Sequence, residues 1–378
     1  MKWYRIWAIA RKETIQVLRD WRSLAMAIAT PFTLLILFGF ALSLDVDHVP
    51  LIVWDQSLTP ESRDLISRFT SSHYFDLGPR SANNYREIER AIDNREAILA
   101  LVIPVDFADK LRTNQTSHIQ LIADGSDPNT ATLALGYAEG ISHSFSDNLL
   151  SQQLQRRGQA PPKPAVQLDT RVWFNPDLES KNTIVPGLIA VIMMVISALL
   201  TSLTIAREWE RGTMEQLIST PIKVPELIIG KLIPYFVIGM FDVLMVVVLG
   251  QIIFQVPVKG SLLLLLAMSV IFMLGSLSLG ILISIIAKSQ LLASQLAMIL
   301  TFLPSFLLSG FITSISNMPY AIQMVSYLVP ARYFLDLLKA IYLKGVGLNI
   351  LMGEAILLLI YATVMLVWAM ASFKKKLS

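Results

Sequence analysis

The chain has 378 residues, 54% hydrophobic and 16% charged, and no cysteine. The charged share lies well below the roughly 25% of soluble domains, which argues against an ordinary soluble protein. The missing cysteine excludes disulfides, thiolate metal sites and cysteine nucleophiles. A net charge of +3 conceals an asymmetry: residues 1–22 carry six Lys/Arg against two acids, and residues 44–182 carry thirteen against nineteen. The basic N-terminus and the Lys374–Lys376 tail read as membrane-surface contacts and need no nucleic acid to explain them.

Residues 2–22 are amphipathic. Trp3, Ile6, Trp7, Ala10, Thr14, Val17, Leu18 and Trp21 recur at helical spacing, with Lys2, Arg5, Lys12, Glu13, Gln16, Arg19 and Asp20 opposite them. This pattern suits a helix lying flat at headgroup level. Six stretches are long and apolar enough to cross a bilayer: Ser23–Ser43, Thr183–Ile205, Leu232–Phe254, Ser261–Ala287, Leu291–Ile312 and Ile350–Ser372. The first is too long, and its Ala41-Leu-Ser43 too weak a cleavage match, for a signal peptide, so it is expected to be retained. The fold class expected is an α-helical polytopic membrane protein of six transmembrane helices, with an α+β extracytoplasmic domain inserted after the first span.

Six spans put both ends on one side, and the cations flanking them make that side cytoplasmic. The expected organisation is an interfacial helix (1–22), the first span (23–43), an extracytoplasmic domain (44–182), and spans two to six (183–372). The last part holds a cytoplasmic loop (206–231) and an outer segment (313–349), before a basic cytoplasmic tail (373–378). Within 44–182, strands are expected at Val49–Trp54, Ala97–Ile103, His118–Ala123 and Val166–Phe174. Helices are expected at Pro60–Phe69, Asn84–Asn94, Val105–Arg112 and Thr130–Gln155, and Arg157–Pro164 reads as a linker. The four histidines, His48, His73, His118 and His143, have no metal-ligand spacing and read as plain surface or satisfied core residues.

After the second span comes Ala206-Arg-Glu-Trp-Glu-Arg-Gly-Thr-Met-Glu-Gln-Leu-Ile-Ser-Thr-Pro221, with alternating charges and apolar contacts. Arg207 and Arg211 stand one helical turn apart, Glu208 is within reach of Arg211, and Pro221 and Pro225 stop one helix and start another. A short charged helix of this kind suits a groove on a soluble partner. The chain has no G-x-x-x-x-G-K-[ST] loop, and Gly230-Lys231 lacks the upstream glycine, so no ATP site of that kind is expected here. Asp242 lies mid-span, where a carboxylate is costly and is a functional candidate or a structural hydrogen-bonding group. Ser276, Gly280 and Ser284 form a small-residue stripe that permits close helix approach. Ser197, Thr201, Ser202 and Thr204 give the second span a partly polar face. Residues 313–349 read as two short helices, Met318–Val329 and Ala331–Leu343, separated at Pro330. Arg332 and Asp336 there stand at i, i+4 spacing, that of an ion pair.

The run Arg207–Leu217 closely resembles the coupling-helix segment of ABC-2-type ABC transporter permeases. The likeness extends to Val102–Ala108, Asp124–Thr130, Leu308–Phe311, Asn317–Pro319 and Val329–Phe334, and points to the bacterial multidrug-efflux branch. The resemblance implies an inner-membrane permease subunit, not itself an enzyme, that exports drugs or amphipathic small molecules. It implies ABC ATPase subunits as partners, binding ATP and Mg, with no cofactor on this chain and no bound metal. It also implies pairing with a second copy or with a paralogue. Arg207, Glu208, Trp209, Glu210, Arg211, Gly212, Thr213 and Met214 are then the ATPase-coupling residues. Ser197, Thr201, Asp242, Gln295, Ser305 and Ser309 are the expected substrate pathway. Arg332 and Asp336 are the expected buried partners or gate of a re-entrant segment. The outer domain is expected to act on substrate exit or to dock a periplasmic adaptor. Two alternatives stay open: an ion-coupled carrier using Asp242, and a membrane-anchored assembly or receptor protein acting through residues 44–182.

Overall fold

The computed structural model describes residues 2–42, 46–78, 81–113, 115–156, 171, 173–176 and 179–373. Two compact units emerge: Met1–Ser43 with Arg171–Ser378, and Leu44–Thr170. In chain order the elements are α1 Trp3–Arg19, α2 Trp21–Ala41, β1 Val49–Asp55, α3 Pro60–Thr70, β2 Phe75–Leu77, α4 Tyr85–Asp93, β3 Leu99–Ile103, α5 Phe107–Arg112, β4 Gln120–Ala123 and α6 Pro128–Arg156. They continue with α7 Lys181–Glu210, α8 Thr213–Ile218, α9 Val224–Ile253, α10 Leu262–Ala287, α11 Gln290–Leu307, α12 Tyr320–Ser326, α13 Pro330–Lys339 and α14 Leu348–Ser372.

The unit from Leu44 to Thr170 holds a sheet in the order β2-β1-β3-β4. β1 pairs in parallel with β2 and β3, and β4 runs antiparallel to β3. The strand β3, Leu-Ala-Leu-Val-Ile, is buried throughout, as a parallel strand covered on both faces should be. Leu51, Leu99, Leu101 and Ile103 pack with Leu65 of α3, Phe107 of α5 and Ala134, Ala138 and Phe145 of α6. Ile52, Ala100 and Val102 pack on the opposite side with Ile88 and Ala91 of α4. Helical crossovers between parallel strands give this unit an α/β character, which the predicted alternation of strands and helices along 44–182 allows alongside α+β. β2 was not expected, since three residues are too few to show an alternation. Asp124 accepts from the Ser126 N–H at 2.9 Å, and Asp127 accepts from the Thr130 hydroxyl at 2.6 Å just before Pro128. The Asp124–Thr130 run is thus a turn followed by the cap of α6. All four histidines are exposed. The expected linker Arg157–Pro164, most of the expected strand Val166–Phe174, and the tail lysines lie outside the described residues.

Among the described residues, five helices are long and apolar enough to cross a membrane: α7, α9, α10, α11 and α14. α2 adds a shorter apolar stretch, Ala27–Ala41. α7 sits at the centre of its unit, touching α2, α9, α10, α11 and α13. The α7–α10 seam uses the small-residue stripe. A Cβ on Gly280 would collide with the Thr201 hydroxyl and the Ala198 carbonyl. The Ser284 hydroxyl accepts from the Ile205 and Ala206 N–H groups at 3.0 and 2.9 Å.

Element ends differ from expectation where local chemistry intervenes. α7 runs to Glu210 because Arg207-Glu-Trp-Glu continues the helix without a breaker. α9 begins eight residues early, at Val224, where Pro225 fits the first turn and Glu226 caps it. α11 stops at Leu307, short of Ile312, as the chain turns through Gly310 at φ +85°. Pro330 opens α13 as its first residue.

Candidate functional site beneath the charged loop

The amphipathic helix does not divide as the sequence pattern suggests. Ile6, Ile9, Ala10 and Glu13 are buried, while Trp3, Trp7, Leu18 and Trp21 are exposed. Close approach explains this. α1 packs along α9 at Gly230, where a Cβ would stand 2.7 Å from Ile9 Cβ and 3.1 Å from the Ile6 carbonyl oxygen. Only glycine lets the helices meet this tightly, and the contact carries Glu13 to the next residue of α9.

That residue is Lys231. Its Nζ lies 2.5 Å from Glu13 Oε1 and 3.5 Å from Glu208 Oε1. Lys12 Nζ reaches the same Glu208 oxygen at 2.5 Å. The Thr213 hydroxyl donates to the other Glu208 oxygen. Glu13, Glu208 and Lys231 are 2%, 4% and 1% exposed, so two carboxylates and one ammonium are buried together, and the exposed Lys12 reaches in from the surface. Taking such charges out of water costs several kcal/mol per ion, at order of magnitude, unless each finds its partner. Here the charges balance, and the cluster joins α1, the end of α7, the start of α8 and α9.

Two further sets of contacts flank it. Glu226 accepts from the Lys2 N–H at 2.7 Å and the Lys223 N–H at 3.0 Å, with Arg5 3.5 Å away. Arg5 also donates to the Pro221 carbonyl. On the other side, Arg207 faces Asp20 at 3.7 Å and donates to Gln290 at 3.3 Å. Glu210 accepts from the Gln290 N–H at 2.8 Å and from its side chain. Lys288 lies over the Trp209 ring, 5.2 Å from its centroid.

The residues expected to couple to an ATPase therefore divide. Glu208 and Met214 are buried, and Thr213 and Trp209 are engaged internally. Glu208 turns to Lys12 and Lys231, not to Arg211 as its spacing suggests. Arg211 and Gly212 are exposed, together with Glu215, Gln216 and Ser219, which lie just beyond the expected coupling residues. Gly212 adopts φ +69° at the turn between α7 and α8, a conformation that favours glycine. Glu13 and Lys231 were also missed as a pair. A lysine at the entrance of an apolar span was the available signal, but nothing in the sequence names its partner.

The expected pathway residues do not form one lining in the chain. Ser197 and Thr201 are buried in the α7–α10 seam, where Thr201 donates to the Leu277 carbonyl at 2.8 Å and Ser276 donates to Ser197 at 3.0 Å. Gln295 is exposed on α11. Asp242, Ser305 and Ser309 are buried, and none of their side-chain oxygens has a hydrogen-bond partner among the described residues. Arg332 donates to Ser326 at 2.5 Å and stacks on Tyr327 at 4.0 Å, leaving Asp336 exposed and unbridged to it. The i, i+4 pair and the burial of Asp336 are therefore not found.

Comparison with known proteins fits this architecture. The chain is 40% identical over 368 residues to the probable multidrug ABC transporter permease YbhS of Escherichia coli K12, covering 97% of this chain and 96% of that one. It is 33% identical over 374 residues to the probable multidrug ABC transporter permease YbhR of the same organism, covering 99% of each. It is 26% identical over 358 residues to its inner membrane transport permease YhhJ, covering 90% and 91%. The family profile described as ABC-2 family transporter protein matches residues 21–371, from the start of α2 to the end of α14. The chain belongs to the ABC-2 transporter family, as a membrane-spanning permease subunit.

Proposed function

We propose that this subunit is half of an ATP-driven exporter of drugs or other amphipathic small molecules, in which a separate ATPase supplies the energy. In this reading α2 is the sixth span and the chain lies in the bacterial inner membrane. Both termini and the 206–231 region are cytoplasmic, and residues 44–182 lie outside. The Lys/Arg excess of residues 1–22 supports that orientation. The observation that carries the coupling role is the Glu13–Lys231–Glu208–Lys12 cluster directly behind α8. Arg211, Glu215, Gln216 and Ser219 face the ATPase, and Glu208 and Thr213 pass its motion to α7, α9 and α1. The partner ATPase binds ATP and Mg, and the inserted domain acts on substrate exit or docks a periplasmic adaptor. Relatives of nearly full length under two names, YbhS and YbhR, support pairing with a paralogue, with a homodimer as the simpler form.

The test is reconstitution of the permease with its ATPase in proteoliposomes. Arg211→Ala with Glu215→Ala is expected to weaken ATPase association. Glu208→Gln is expected to leave association intact and to separate ATP hydrolysis from transport. Unchanged association and unchanged transport in both would overturn the assignment.

A second reading rests on Asp242, whose carboxylate is buried without a hydrogen-bond partner among the described residues. It is an ion-coupled carrier using this group. Efflux that persists with no ATPase present and disappears in Asp242→Asn would favour it.

A further inference from the structure

Where α1 leaves its close contact at Gly230, it stands off from α9 and a groove of about 420 Å³ opens between them. Trp7, Arg11, Ile15 and Leu18 form its α1 wall at spacings of four, four and three residues, and Pro234 and Val237 line the α9 side. The volume lies in the ~300–1,000 Å³ range of ligand pockets. Trp7, Leu18 and Val237 are each more than half exposed, so the groove is open along its length.

Its surroundings define what fills it. α9 is one of the long apolar helices, so its outward face meets hydrocarbon. Exposed Trp3 and Trp7 on α1, and Trp21 at the start of α2, mark the headgroup level. Within this apolar wall stands one cation, Arg11, with Arg19 two turns further on; both are exposed. Arg5 and Lys12 of the same helix are neutralised by Glu226 and Glu208, whereas Arg11 and Arg19 make no ion pair among the described residues. An apolar trough at headgroup level with unneutralised guanidinium groups complements a molecule with an acyl chain and an anionic phosphate.

We infer that this groove is a binding site for an anionic phospholipid, its acyl chain between α1 and α9 and its phosphate on Arg11. A smaller cavity of about 40 Å³ shares Val17, Leu24 and Ile238 with the groove and has Arg207 on its wall. The lipid thus lies one side-chain layer from the helix end that leads into α8. The inference rests on α9 lying in a bilayer and not on the coupling proposal.

The experiment is native mass spectrometry of the full-length permease released from nanodiscs of phosphatidylcholine carrying graded phosphatidylglycerol. Retention of phosphatidylglycerol over phosphatidylcholine is expected. Arg11→Gln should lower that preference about fivefold and Arg11→Gln with Arg19→Gln about 25-fold, at roughly 1 kcal/mol per basic residue, and Arg11→Lys should largely keep it. Val237→Trp, which fills the trough, should lower retention of both lipids. A preference unchanged in the arginine variant, or retention of both lipids unchanged in Val237→Trp, would overturn the inference. So would a photocrosslinker at Leu18 that captures a second copy of the chain or an added drug instead of lipid.

Discussion

Lys231 Nζ and Glu13 Oε1 lie 2.5 Å apart in the interior, although 218 residues separate them in the chain. Each is the other's nearest counter-ion, and both side chains are almost fully buried. Removing one partner by Lys231→Met or Glu13→Gln is expected to destabilise the protein by about 3–5 kcal/mol, the cost of stranding a buried charge. The double variant should lose clearly less than the sum of the two. Tryptophan-monitored thermal unfolding in detergent reads both numbers, and strict additivity would show that the two groups do not form a unit.

Gly212 sits in the left-handed region with no atom within 4 Å of where a Cβ would stand. A substitution there therefore meets only the backbone penalty, of about 1–2 kcal/mol for most residues. Gly212→Asn should be tolerated and Gly212→Val should not, because asparagine visits this conformation and a β-branched residue does not. ATPase co-purification from membranes compares the two variants, and equal yields would remove the turn from the argument.

Gly280 presents the opposite case, with an ordinary conformation and no space. Its neighbours are the Ala198 backbone, 2.9 Å from a Cβ at the Cα, and the Thr201 side chain. Gly280→Ala should cost about 1–3 kcal/mol through overpacking, and Gly280→Leu more. Ser284→Ala, which removes an acceptor for two α7 amides, should cost about 1 kcal/mol. Midpoints of thermal aggregation in detergent would rank the three.

Asp127 gives a pH dependence to the start of α6. Its carboxyl is held below the usual carboxylate range, chiefly by the Thr130 hydroxyl and then by the Thr130 N–H. The folded-state value is depressed, so the stabilisation is present above the unfolded value near pH ~4 and fades as pH falls through the folded value. Hydrogen exchange of residues 128–133 should accelerate on acidification, and Asp127→Asn should flatten that response. An identical profile in the variant would count against the cap.

The membrane-spanning helices were legible because length and apolarity are local properties. The ends of α7 and α9 were less so, since charged residues such as Arg207 and Lys231 look like loop until a partner is known. The cluster itself was out of reach. Glu208 has Arg211 three residues away in sequence, and only tertiary packing sends it to Lys12 and Lys231 instead. Glu13 was assigned to the polar face, yet its spacing from Ile6, Ile9 and Ala10 places it equally on a packed one. Ser197 and Thr201 illustrate the converse: a polar stripe on an apolar helix reads as a route, but here it serves as the hydrogen-bonded seam to α10.

The separation of Glu13 from Lys231 also sets an order of assembly. At synthesis rates of about 5–20 residues per second, the ribosome reaches Lys231 roughly 10–40 s after Glu13. Until then α1 has no seat, and its carboxylate must wait in the aqueous or headgroup layer. α1 therefore docks long after it is made, and the closing of the charge cluster marks the moment when α1, α7 and α9 have all arrived.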